Sequence, residues 1–267
     1  MRYAAAVDDS TGLVLLGDGE GGIQASVAPA HGAELSSLRY RHEGEYIETL
    51  YRGNDFTEPG HGWRGRAPVL WPAVGRNFTA AHLDELQGAG DYDGICTYEH
   101  DGTTWRIPRH GFAMHVPWEL QSHAADAAGA TATCTLSSSD ATRSQYPFDF
   151  DLSVRFRLAD GALRMTYRVE SRSDGLPFSI GNHLSFRLPF GPGGGFEDVM
   201  VWGPIDRQQD ITEAGLFSGR VLPFDLHAGG RLSTEALHNG VFGPAPPENA
   251  CVEVWQEGAF GFRVGQR

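Results

Sequence analysis

"FDFDLSVRFRLADGALRMTYRVESRSDG", residues 148–175, holds two runs in which apolar and polar side chains alternate, on either side of "ADGA" at residues 159–162. Alternation with a period of two is the pattern of a strand with one buried and one wetter face. Asp-Gly between two such runs signals a two-residue hairpin, because the matching turn needs a positive φ at both central residues. The stretch therefore predicts an antiparallel β-hairpin.

Segments of the same character recur on both sides of it: "GLVLL", "IQASVAP", "ELSSLRYR", "TATCTLSS", "VEVWQ" and "FGFRV". Between them stand turn formers such as "GDGEGG", "SDGLP" and "FGPGGG". The best short helical candidate is "TAAHLDELQGA", and no repeat of 20 to 50 residues suggests a propeller. With 35 Gly and 15 Pro in 267 residues, the expectation is all-β: one large, turn-rich antiparallel β-sandwich domain over residues 1–267.

A formal charge of −13 opposes binding to nucleic acid or to an anionic membrane surface. All 21 basic residues are Arg, and Cys96, Cys134 and Cys251 show no metal-ligand or disulfide spacing. The N-terminal "MRYAAAVDDS" lacks a signal-peptide core, so a cytoplasmic protein is expected.

Of eleven histidines, two stand out. His110 precedes Gly111 in "RIPRHGFAMHVPWEL", bracketed by Pro108 and Pro117. His183 follows Gly181 and Asn182 inside the apolar run "FSIGNHLSFRLPF". A buried imidazole must find a hydrogen-bond partner, and its ordinary pKa near 6.5 suits proton transfer in either direction. A lone strand histidine is nevertheless more often a satisfied core group than a catalyst. In "GRAPVLWPAVGRNF", Arg76 offers a fork of donors for hydroxyls or carboxylates, while Trp71, like Trp63 and Trp118, could lay a ring face on a sugar. There is no GxSxG, HExxH, phosphate-binding GxxxxGK[ST] or HxH pair, which argues against a nucleotide site and against a metal-dependent barrel of cupin type.

Three stretches in this order, "VLWPAVGRNF", "RHGFAMHVPW" and "FSIGNHLSFRLP", resemble the aldose 1-epimerases, or galactose mutarotases. The similarity extends from "ASVAPAHGAELSSLRY" to "GVFGPAPPENACVEVWQ". The resemblance implies a supersandwich of galactose mutarotase type and an isomerase that interconverts the α and β anomers of a free aldose without a cofactor. It further implies that His183 is the general acid on the ring oxygen, that His110 binds and polarises the same region, and that Arg76 holds sugar hydroxyls. Asn182 and Trp71 would join the substrate site. Sugar phosphates fall within the substrate range, since Arg66, Arg76 and Arg109 could form an anion site.

The family's general base is a glutamate on a late strand. The chain ends at Arg267, which leads to the expectation that the C-terminal strands are lacking, and Glu253 in "CVEVW" is the nominee although its spacing from His183 fits an earlier strand. The alternative is a non-catalytic carbohydrate-binding or regulatory protein on the same fold.

Overall fold

A computed structural model describes residues 2–53, 65–89, 95–190, 195–203, 205–231, 241–244, 251–256 and 261–265. They fall into two compact units, Met1–Arg187 and Leu188–Arg267.

The first unit opens with β1 (Tyr3–Val7), β2 (Val14–Asp18), β3 (Ile23–Ala28), β4 (Glu34–His42) and β5 (Glu45–Glu48), each antiparallel to the next in one meander. Then come the short β6 (Val69–Leu70), α1 (Ala80–Ala89), and a two-stranded ribbon of β7 (Ile95–His100) and β8 (Thr103–Pro108). A second antiparallel meander follows: β9 (Glu119–Asp126), β10 (Gly129–Ser137), α2 (Asp140–Arg143), β11 (Phe150–Ala159) and β12 (Ala162–Ser171). β13 (Gly181–Asn182) closes the unit by pairing with β6. The helix over Ala80–Ala89 lies where the sequence placed its best helical candidate.

The β11–β12 hairpin forms as its sequence predicts. Ala159 pairs with Ala162, and Asp160 and Gly161 take φ of 52° and 69°, the turn handedness that matches strand twist. The apolar parity of β11 (Phe150, Leu152, Val154, Phe156 and Leu158) has no solvent exposure. With Ala130, Ala132 and Cys134 of β10 it shares a core with Val14, Leu16, Ala25 and Val27 of β2 and β3. The two meanders thus pack face to face, as in a sandwich. At the tip, the Asp160 N–H donates to the buried Tyr3 hydroxyl of β1 at 3.1 Å. At α2, Ser139 caps the helix in a reciprocal exchange with Thr142.

The second unit holds β14 (Val199–Trp202), β15 (Ile205–Ile211), β16 (Phe217–Pro223), β17 (Gly230–Arg231), β18 (Val241–Pro244), β19 (Cys251–Gln256) and β20 (Gly261–Gly265). They form one four-stranded sheet, ordered β17-β14-β19-β20, and one three-stranded sheet, ordered β16-β15-β18. The chain is therefore all-β with antiparallel sheets. Among the described residues no helix is long and apolar enough to cross a membrane.

Candidate active site

The site grows from residues 65–71, a segment in which Pro68 lacks an N–H to give to a neighbouring strand. Its pairing is completed from several directions. Leu35 bridges Ala67 and Arg52 bridges Gly65. On the other side Leu70 and Val69 pair with Gly181 and Asn182, the His183 N–H donates to the Pro68 carbonyl at 3.2 Å, and the Ser185 N–H to that of Arg66 at 2.9 Å. His183 therefore directly follows a short strand and is itself anchored through its backbone to the same segment.

His110 arrives from the end of β8. It adopts φ of 68°, and Gly111 follows with φ of 75°. Gly111 bridges Trp71 in parallel, so closely that a Cβ there would stand 2.2 Å from the Trp71 carbonyl oxygen. Only glycine fits. The His110 N–H donates to the Gly75 carbonyl at 3.1 Å, and the Gly75 N–H donates to His110 Nδ1 at 3.0 Å. Because Nδ1 is an acceptor, the proton of the neutral ring resides on Nε2. The 3-10 helix Ala113–His115 follows this turn.

The two imidazoles meet edge to face, with centroids 5.7 Å apart and planes at 90°. Burial lowers the pKa of His110 to about 4, helped by the positive charges of His183, Arg109 and Arg76. Burial also lowers that of His183, again with Arg109 contributing. Both rings are accordingly neutral at pH 7. Arg76 is half-buried next to Gly75 in the same loop. Sequence reasoning thus placed His110, His183 and Arg76 in separate motifs, and the fold puts the two rings against each other with the Arg76 charge acting on His110.

The other expected site residues fare differently. Asn182 is half-buried, and its amide is engaged: Oδ1 accepts from the Tyr167 hydroxyl, and Nδ2 donates to the Ala67 and Pro68 carbonyls at 3.3 and 3.2 Å. A Cβ on Gly181 would make ordinary contact with Val74 at 3.5 Å. Trp71 must be corrected. It has no solvent exposure, and Phe112, Tyr146 and Phe150 surround it with centroids at 5.6, 5.4 and 4.3 Å. Its faces are occupied by the core and cannot stack on a sugar. Trp118 is likewise buried, its indole N–H donating to the Ala113 carbonyl at 2.9 Å. Trp63 lies outside the described residues. Glu253 sits in β19, with backbone partners Trp202 on one side and Arg263 on the other; its side chain lies outside the described residues.

One titratable pair went unread in the sequence. Glu34, at the start of β4, is buried at 6% exposure and accepts from Arg66 Nε. Burial pushes its carboxyl up to about 7 against the pull of Arg66 and Arg52. The available signal was a glutamate leading directly into the apolar strand "ELSSL". Among the described residues no group of three His, Cys, Asp or Glu side chains is placed to hold a metal ion.

Comparison with solved structures agrees with this architecture. A galactose mutarotase related enzyme from Lactobacillus acidophilus is 23% identical, with a TM-score of 0.72 over 92% of this chain and 74% of that one. A galactose mutarotase-like protein from Clostridium acetobutylicum is 17% identical, with a TM-score of 0.67 over 95% and 77%. The galactose 1-epimerase of Lactobacillus acidophilus NCFM is 20% identical, with a TM-score of 0.62 over 94% and 76%. At such identities the likeness concerns the fold, which is that of the galactose mutarotases. No curated protein matches the chain. The sequence profile of the aldose 1-epimerases matches residues 91–229, more than half of the chain and inclusive of both site histidines. This protein belongs to the aldose 1-epimerase family.

Proposed function

We propose that the chain interconverts the anomers of an aldohexose or its phosphate, with His183 as the acid and base at the ring oxygen. The observation that carries this reading is the perpendicular His110–His183 pair, in which a backbone N–H occupies Nδ1 of His110. His110 can then only donate through Nε2, the property needed to hold and polarise a sugar oxygen. In ring opening, the anomeric hydroxyl loses its proton to a base and the ring oxygen gains one, so the bond from C1 to the ring oxygen breaks as the C1 carbonyl forms. Rotation about C1–C2 and the reverse transfers yield the other anomer. The base would be a carboxylate, and Arg76 would grip hydroxyls or a phosphate. The protein would act in the cytoplasm.

The lowered pKa of His183 makes its protonated form a strong acid but a scarce one at pH 7. The acid step should therefore quicken as pH falls towards that value. Polarimetry of freshly dissolved α-glucose and α-galactose, and of glucose 6-phosphate, provides the test. His183→Ala should cost about a hundredfold or more of the acceleration. A folded wild-type chain that accelerates none of these sugars sinks the proposal; ligand-induced stabilisation without turnover would then identify a binding protein.

A further inference from the structure

Tyr167 belongs to β12, in a different sheet from the β6–β13 pair that leads into His183. Its side chain leaves the second meander and reaches the β6–β13 ladder, where the hydroxyl donates to Asn182 Oδ1. Asn182 in turn gives both amide hydrogens to the carbonyls of Ala67 and Pro68. The Pro68 carbonyl is also the one that accepts the N–H of His183. One chain of contacts therefore runs from a hydroxyl on β12, through an amide, to the backbone that seats the imidazole.

The amide is a demanding link. Its oxygen and nitrogen are nearly equal in size, and each is half-buried beside groups that suit only one orientation. Two carbonyls claim the nitrogen and the phenol fills the oxygen, so every hydrogen-bonding atom of the side chain is satisfied in one arrangement. Without the phenol, Asn182 Oδ1 faces an apolar ring edge and costs its desolvation. Relaxation of that cost would come from moving Asn182, and the next residue is His183. Burial raises the Tyr167 pKa, so the phenol keeps its proton, and hence its donor, across the working pH range.

We propose that Tyr167 is a positioning residue for His183, holding the imidazole in place through Asn182 and the Ala67 and Pro68 carbonyls. The rate readout of this idea rests on the proposed role of His183, whereas its spectroscopic readout does not.

The experiment compares wild type with Tyr167→Phe, following the His183 imidazole by NMR across pH and mutarotation by polarimetry. His183 titrates low because it is desolvated, with Arg109 and the edge of His110 as its charged and titratable neighbours. A loosened ring gains water, so its midpoint should rise towards the ordinary imidazole value. The acid limb of the rate profile should move with it, and kcat should fall about tenfold to a hundredfold with little change in KM. Asn182→Leu, which removes the middle link at nearly constant volume, serves as the second variant should Tyr167→Phe not fold. Members of one relay are not additive, so the double variant should resemble Asn182→Leu alone.

A His183 midpoint that stays put in the variants, whatever happens to their melting temperatures, overturns the proposal and leaves Tyr167 a purely structural residue. Additive effects in the double variant overturn it equally. If wild type shows no mutarotation, the proposed function fails, and the NMR midpoints still decide the role of Tyr167.

Discussion

The Gly75 N–H donates to His110 Nδ1 at 3.0 Å, while the His110 N–H returns a bond to the Gly75 carbonyl at 3.1 Å. Asparagine can mimic the acceptor half of this exchange, because its Oδ1 lies close to where Nδ1 does, and it tolerates positive φ. His110→Asn should therefore fold with a nearly unchanged melting temperature yet lose the Nε2 donor. Mutarotation should drop about a hundredfold, the usual effect of removing one preorganised donor. Equal losses of stability and rate would show that the imidazole serves the fold alone.

Gly111 and Gly75 make a matched pair for a backbone test. Both have positive φ, but a Cβ on Gly111 strikes the Trp71 carbonyl at 2.2 Å whereas one on Gly75 meets nothing within 4 Å. Gly75→Ala should cost about 1 kcal/mol of conformational strain. Gly111→Ala adds displacement of backbone and should cost about 3 kcal/mol or more, at the severe end for a point change. Denaturant midpoints of the two variants measure the difference.

Glu34 gives a pH signature of unusual sign. Its carboxyl titrates at about 7 when folded and near the ordinary 4.5 when unfolded. The folded state thus binds the extra proton, and stability falls as pH rises through that interval. His110 acts oppositely: it titrates at about 4 folded and near 6.5 unfolded, so stability falls as pH drops from 6.5 towards 4. The two slopes offset each other between pH 4.5 and 6.5. Glu34→Gln, which can still accept from Arg66, should expose the histidine slope, with stability rising more steeply with pH than in wild type. Chemical unfolding at several pH values checks this, and parallel curves for the two proteins would contradict it.

Trp71 separates core from site. Its indole nitrogen is buried with no hydrogen-bond partner among the described atoms. Trp71→Phe leaves a smaller ring among Phe112, Tyr146 and Phe150 but removes an unsatisfied donor, two terms of opposite sign. The net loss should be about 1–2 kcal/mol, with KM for the sugar within about twofold of wild type because no ring face is presented to it. A large rise in KM would return Trp71 to the binding surface.

What could be read from the sequence was what is local. The hairpin at Asp160-Gly161 needs only a period of two and a turn pair, and α1 only a short polar segment free of β-branched runs. His110 and Arg76 were each visible beside a glycine that breaks the local pattern, and His183 two positions after one. Their assembly was another matter. Gly75 and His110 are separated by 35 positions, and Tyr167 reaches Asn182 from another sheet. Such contacts leave no trace in periodicity. Trp71 misled because indole is equally at home in a core and under a sugar, and only burial decides between them. Glu34 was overlooked because a carboxylate at a strand start reads as solvated until the neighbouring strands cover it.

The bond between the Asp160 N–H and the Tyr3 hydroxyl ties the first strand to a residue made 157 positions later. During synthesis, β1 to β5 leave the ribosome long before β9 to β12 exist to cover Val14, Leu16, Ala25 and Val27. At about 5–20 residues per second, that apolar face waits on the order of ten seconds for its partner. The nascent chain is thus exposed to premature pairing for that interval, and chaperone occupancy should peak there and end as the second meander emerges.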